Sequence, residues 1–347
     1  MIGCTLAVLA GNLAGDALSL PPFLYLLLTL GLACTALWRT ERALLLACFA
    51  LLGAAAVQVG RMPQPVGTPA LAQWAAGRKA AFSTWLGGLL PEGDELAVLR
   101  ALAIGDKDGL SRDLRAAYRD SGAMHLLALS GLHVGLLYAL LLQLLKPLGG
   151  HRAARLFRSG VILAALWAYA LITGLGASIT RAVLMITFYE ISGLLSGSRD
   201  ALTALFGSAF LLMLLRPEAP RDIGFQLSYT AVLSILLLHP WLKARLQTRS
   251  KLLGRVWELL CVSLCCQCTC GLLAWHYFGT FPRYFLVTTL LAIPLTTATL
   301  YSTAATLAAA ALSGSIPFLT PLSTAATQAL HWLLQLLNTV IQLIAQL

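Results

Sequence analysis

The sequence predicts an all-α, polytopic integral membrane protein with about ten transmembrane helices and additional amphipathic helices on the outer face. Three observations lead there. Of 347 residues, 59% are hydrophobic and only 11% charged, against about 25% charged in soluble proteins. The apolar residues come in long blocks, such as Leu126 to Leu145, and about 20 apolar residues cross a hydrocarbon core as a helix. These Leu/Ala-rich blocks lack strict alternation, so helices are expected rather than barrel strands.

Taken in order, the blocks place spans at 2–18, 21–38, 42–60, 121–145, 158–175, 179–197, 200–215, 224–242, 256–275 and 284–312, with a last apolar helix at 322–347. The 284–312 block is long for one straight span, and Pro294 is expected to kink or split it. Four regions follow: N-terminal transmembrane helices (1–60), outer-face interfacial helices (61–120), a transmembrane core (121–312) and a C-terminal apolar helix (313–347). Met1 to Leu9 lacks a basic n-region, so a retained helix is expected there rather than a cleaved signal.

Orientation follows from basic residues. Lys146, Arg152, Arg155 and Arg158 form one cluster; Lys243, Arg245, Arg249, Lys251 and Arg255 form another. Four expected helices separate them, so both fall on one side, with Arg39 and Arg42, and the basic excess makes that side cytoplasmic. The net charge of +10 is then a topology signal and not by itself evidence for nucleic acid. Gly174–Ser178, Arg216–Ile223, His276–Arg283 and the stretch 61–120 fall outside.

Residues 61–120 hold eight Lys/Arg and seven Asp/Glu, too short a stretch for a core of its own. Trp74, Phe82 and Trp85 with Arg78 and Lys79 suit a helix lying in the interface over 70–90. Asp94 can cap a helix through Ile104. A further helix is expected from about Asp108. It sets Leu110, Leu114, Ala117 and Tyr118 on one side and Arg112, Arg115 and Arg119 on the other. That stripe can contact phosphates, or pair with Asp113, Asp120 or lipid headgroups.

Polar residues inside the apolar blocks are the candidate chemistry. In a single helix over 121–145, Gly122, His125, Ser130 and His133 share one arc. They either line a hydrated passage or bond neighbouring helices. Arg181 opens a helix at the outer side, where it can snorkel or meet a phosphate. Glu190, near the middle of the same span, is either functional or a neutral packing carboxyl. Gln226, Ser228 and Tyr229 begin another helix, after a loop carrying Arg216, Glu218, Arg221 and Asp222. Eight cysteines lie in apolar blocks without paired zinc spacing. Cys261, Cys265 and Cys268 share a helix face and are expected to pack as small apolar groups. The chain holds no P-loop, G-x-G-x-x-G or H-E-x-x-H motif. No metal, cofactor or catalytic residue is expected, and any transport is driven from outside the polypeptide.

The stretch AIGDKDGLSRDLRAAYRDSGAMHLLALSGLHVGLL resembles the signature of the ComEC-type competence proteins, inner-membrane channels for DNA uptake in natural transformation. Its carriers are Gly105, Asp106, Gly122, His125, Ser130, Gly131 and His133. SITRAVLM (178–185), RPEAPRDIGFQLSYTAVLSI (216–235) and FGTFPRYFLVTTLLAIPL (278–295) resemble later family segments in the same order. The last has Thr288 and Thr289 near where an asparagine is expected. Members commonly carry an OB-like domain and a metallo-β-lactamase-like domain, and neither is expected here.

The resemblance implies passage of single-stranded DNA across the bacterial cytoplasmic membrane, without enzymatic activity in this chain. Expected partners are the lipid bilayer, a cytoplasmic helicase-like ATPase, an outer-face DNA receptor and a nuclease on a separate protein. Arg112, Arg115 and Arg119 would attract phosphates at the outer face. Asp106, His125, Ser130, His133, Arg181, Glu190, Gln226 and Ser228 would line the path. Three other readings stay open. One is an intramembrane metal- or His-dependent enzyme using His125, His133 and Asp106 or Glu190 on a phosphate-containing substrate. The others are a proton-coupled small-solute transporter relying on Glu190, and a scaffold within a larger assembly.

Overall fold

The computed structural model describes residues 1–14, 28–29, 42–246, 250–279, 285–316, 318 and 320–346, except for 61–69. Apart from 28–29, the expected span 21–38 lies outside the described residues, as do Arg39, Arg249 and residues 280–284. Among the described residues fourteen α-helices follow one another: α1 Ile2–Ala14, α2 Arg42–Gly60, α3 Ala70–Gly87, α4 Asp94–Ile104, α5 Arg112–Asp120, α6 Met124–Leu127 and α7 Gly131–Leu144 come first. Then come α8 Arg152–Ile172, α9 Ala177–Ser196, α10 Ala201–Leu215, α11 Ile223–Lys243, α12 Lys251–Phe278, α13 Phe285–Ser315 and α14 Thr320–Ala345. No strand occurs among the described residues.

Five helices among them are long and apolar enough to cross a bilayer: α8, α9, α11, α12 and most of α13. The chain is thus an all-α membrane protein, but among the described residues the expected count of about ten is not reached on length and apolarity. Two expected spans, α7 and α10, are apolar but shorter than 18 residues; α1 is apolar over Ile2–Ala14, and residues 15–18 of that expected span lie outside the described residues. Pro294 sits inside α13 without ending it.

The expected single helix over 121–145 is broken. Gly122 takes a positive φ of 75°, α6 lasts one turn, and Ala128 is extended before Ser130 starts α7. The arc drawn through Gly122, His125, Ser130 and His133 therefore does not exist as one helix face. Gly105, the other signature glycine, is left-handed at φ 69° and closes α4: its N–H donates to the Ala101 carbonyl, and the Asp106 N–H donates to that of Arg100. Gly93, not Asp94, is the N-cap of α4, and Ser111 rather than Asp108 starts α5 by accepting from the Leu114 N–H.

Within the stretch before residue 120, α4 is a buried helix rather than a surface one. In α4, Leu96 through Leu99 and Ala101 through Ile104 are all buried. They form the largest apolar core with Leu114 and Tyr118 of α5, Leu126 and Leu127 of α6, and Leu330, Leu334, Leu337 and Ile341 of α14. α14 buries these leucines at alternating spacings of four and three residues while Trp332, Leu336 and Leu343 stay exposed. It is an amphipathic partner for α4 and α5 rather than an isolated apolar tail. Tyr118, whose phenol burial holds well above its ordinary pKa, donates to Asn338 Oδ1 of α14 at 3.1 Å. In α3, Trp74 and Trp85 are exposed, while Phe82 packs on the core and stacks on Trp85.

At the N-terminus, α1 and α2 meet through small residues. A Cβ built on Gly11 would lie 1.7 Å from the Ala50 carbonyl oxygen, and one on Gly53 would lie 2.3 Å from that of Val8. Membrane helices pack this closely only where no side chain intervenes. Gly11→Ala is expected to push the pair apart and destabilise it by about 2 kcal/mol, the range of core overpacking. Thermal unfolding of the purified protein in detergent checks this; an unchanged midpoint would refute the close packing.

Candidate functional site

The site is assembled where α7, α9, α11 and α12 end near one another. α7 packs against α9. A Cβ on Gly131 would sit 3.6 Å from the Ala182 Cβ, so the start of α7 abuts the residue beside Arg181. Ser130 precedes that helix. Its N–H donates to His133 Nδ1 at 3.3 Å, and its Oγ lies 3.2 Å from the same nitrogen. An Nδ1 that accepts from a backbone N–H leaves the ring proton on Nε2. That Nε2 is buried without a partner among the described residues, on a side chain only 3% exposed.

Arg181 is 8% exposed. Its Nε donates to Ser228 Oγ at 3.2 Å, and its Nη1 lies 3.6 Å from Asp222 Oδ2. Asp222 also accepts from the Gly224 N–H at 2.9 Å and so starts α11. Gly224 leaves the guanidinium space, since a Cβ there would come within 3.2 Å of Arg181 Nη2. Two residues on, Gln226 donates to the Pro220 carbonyl at 2.9 Å and accepts from the Tyr277 hydroxyl at 2.9 Å. Tyr229 donates to Ser208 at 3.1 Å. The Arg181–Asp222 and Gln226–Tyr277 contacts gather the turns before α9, before α11 and after α12 at one end of the bundle.

Asp106 belongs to that end by way of its neighbours. It accepts from Ser83 at 3.3 Å and from the Asp108 N–H at 3.2 Å. A Cβ on the adjacent Gly105 would sit 3.3 Å from Leu129, just before Ser130. The Tyr169 hydroxyl, near the end of α8, donates to the Ala103 carbonyl at 3.0 Å. Thr288 of α13 donates to the Ser121 carbonyl at 2.6 Å. The segment 94–129 is therefore stitched over this end. His125 stands on its surface with Nδ1 2.9 Å from the Gly122 carbonyl. Arg112, Arg115 and Arg119 point outward from α5, opposite buried Leu114 and Tyr118. Arg115 donates to the Lys107 carbonyl at 2.8 Å and Arg119 pairs with Asp120 at 3.0 Å.

Glu190 is elsewhere. Nine residues along α9 from Arg181, it lies about 13 Å further along the axis. It lies about two-thirds of the way from Ala177 to Ser196, and is 1% exposed. It accepts from Ser159 at 2.6 Å, from Arg199 Nη2 at 2.8 Å and from the Tyr138 hydroxyl. Three donors, one of them a guanidinium, meet this carboxyl, so it is paired rather than alone. The structure thus brings Ser130, His133, Arg181, Gln226, Ser228 and Asp106 to one end and leaves Glu190 out.

Asp222 was legible only as one of four charges in a loop. Tyr277, Tyr138, Ser159 and Arg199 had no signal at all except that Arg199 follows a helix holding an unexplained glutamate. The cysteine face is also altered. A π-turn over Gln267–Gly271 interrupts α12, so Cys261 and Cys265 are buried while Cys268 is exposed. Ser234 donates to the Cys265 carbonyl at 2.6 Å, which joins α11 to this irregular turn.

Residues 102–347 match the competence protein family. The chain is 36% identical to ComE operon protein 3 of Bacillus subtilis (strain 168) over 149 residues, which is 43% of this chain and 19% of that protein. The chain therefore aligns with about a fifth of this curated relative's length. No solved structure matches it. Matched over more than half its length, the chain belongs to the competence protein family.

Proposed function

We propose that this chain forms the route by which single-stranded DNA crosses the cytoplasmic membrane during natural transformation. Membership of the competence family supports a role in DNA uptake. The observation that carries the path is the polar end of the bundle. There a buried arginine, an unpartnered histidine N–H and the Gln226 amide sit at the ends of apolar helices. A polyanion needs donors along a hydrated route, because bare hydrocarbon offers none. Arg112, Arg115 and Arg119, displayed on α5 over that same end, supply an outer surface for phosphates. In this reading the chain performs no chemistry itself, and a helicase-like ATPase on the cytoplasmic side pulls the strand. An outer-face receptor delivers it, and a separate nuclease supplies single strands. The separation of Glu190 from the polar end weighs against an enzyme that joins Glu190 to His133.

The test is uptake of fluorescent DNA into cells lacking the chain, then restored with wild type or with Arg112→Ala/Arg115→Ala/Arg119→Ala. Deletion is expected to stop entry into the cytoplasm while surface binding persists. The triple variant is expected to restore less than a tenth of wild-type uptake at normal membrane abundance. Normal uptake in the deletion strain would overturn the reading.

A further inference from the structure

The end of the bundle remote from Arg181 carries a second, differently built cluster. Arg155, Arg158 and Ser159 come from the first turns of α8, which begins at Arg152, so part of the expected basic loop is helix. Glu190 and Gly193 come from the last turns of α9, and Arg199 from the loop beyond it. Together they line a cavity of about 280 Å³, with Leu194 as a further wall. Glu190 is consumed by Arg199, Ser159 and Tyr138. Gly193 permits this, since a Cβ there would lie 2.6 Å from Arg199 Cγ. The remaining charge is cationic. Among the described residues neither Arg155 nor Arg158 has an ion-pair partner, and Arg158 Nε is buried with no hydrogen bond.

The depth of the cavity says what it faces. α8 and α9 have 21 and 20 residues and are long enough to cross once, so their first and last turns lie at the headgroup layer. Beside the arginines, Phe157 is 62% and Leu195 84% exposed, and Leu194 is exposed too. Cations lining a cavity with apolar side chains at its rim match a phosphate ester that carries acyl chains. We propose that this cavity binds the headgroup phosphate of an anionic phospholipid, held by Arg155 and Arg158, with Glu190 and Arg199 fixing the wall. Basic pockets between membrane helices are suited to such headgroups. This cavity shares no residue with the polar cluster around Arg181, which lies toward the other end of α9.

The full chain, purified in detergent and stripped of lipid, is offered phosphatidylglycerol or phosphatidylcholine, and bound lipid is read by native mass spectrometry. Wild type is expected to retain phosphatidylglycerol at least fivefold better than Arg155→Gln/Arg158→Gln, with no difference for phosphatidylcholine. Lys251→Gln/Arg255→Gln, on another helix, is expected to match wild type. Arg155 is exposed, so Arg155→Gln alone is a second variant that spares the fold, with an expected loss of at least twofold. Equal retention by wild type and the arginine variants would overturn the proposal. So would displacement of the lipid by millimolar inorganic phosphate, which marks a free-phosphate site, or by a short single-stranded oligonucleotide, which marks a nucleic-acid contact.

Discussion

Arg181→Leu is expected to lower transformation frequency at least tenfold while the protein reaches the membrane in normal amounts. The leucine keeps the apolar stem's volume but removes the donor to Ser228 and the cation beside Asp222. Hydrogen bonds to charged groups contribute about 1.5–3 kcal/mol. The Asp222 contribution is at the low end, because that carboxylate is about half exposed and screened by solvent. The stability cost is therefore modest, and on the proposed DNA route the loss of function comes from removing a phosphate donor. Arg181→Lys separates charge from geometry. It restores the cation without the planar fork, and an intermediate frequency is expected. Colony counts after transformation, set against immunoblots of membrane fractions, make the measurement. Wild-type frequency in Arg181→Leu would remove Arg181 from the path.

Glu190→Ala is expected to destabilise the protein by about 3 kcal/mol. Breaking a buried ion pair by deleting one partner commonly costs 3–5 kcal/mol, because the other charge is stranded. The lower figure applies because the Arg199 side chain is 30% exposed and recovers some hydration. For a chain of this size that corresponds to a fall of about 4 °C in the unfolding midpoint. Glu190→Gln keeps an acceptor for Ser159 or Tyr138 and is expected to lose less. Glu190→Ala/Arg199→Ala is expected to recover part of the loss, since no unpaired cation remains. A double variant as unstable as the sum of the single ones would show that the pair is not coupled. Because Glu190 stands apart from the polar end, Glu190→Gln is expected to leave DNA uptake within twofold of wild type.

Composition and block length alone determined that this is a helical membrane protein, because 59% hydrophobic residues cannot be hidden from water any other way. Local spacing also determined which side of α5 carries Leu114 and Tyr118 and which carries the arginines, since helical period is a property of the segment itself. The serines, histidines, Arg181 and Gln226 stood out because polar groups in apolar blocks are costly and therefore visible. Tertiary structure decided where they meet. That Ser130 and Arg181 belong to one end, while Glu190 belongs to the other, depends on helix register across more than fifty residues of chain. The burial of α4 depends on α14, more than two hundred residues away, and no local pattern in Asp94–Ile104 announces that partner. The breaks at Gly122 and Ala128, and the π-turn in α12, are likewise settled by neighbours. The apolar blocks read as continuous helix, and only packing shows where the backbone departs from it.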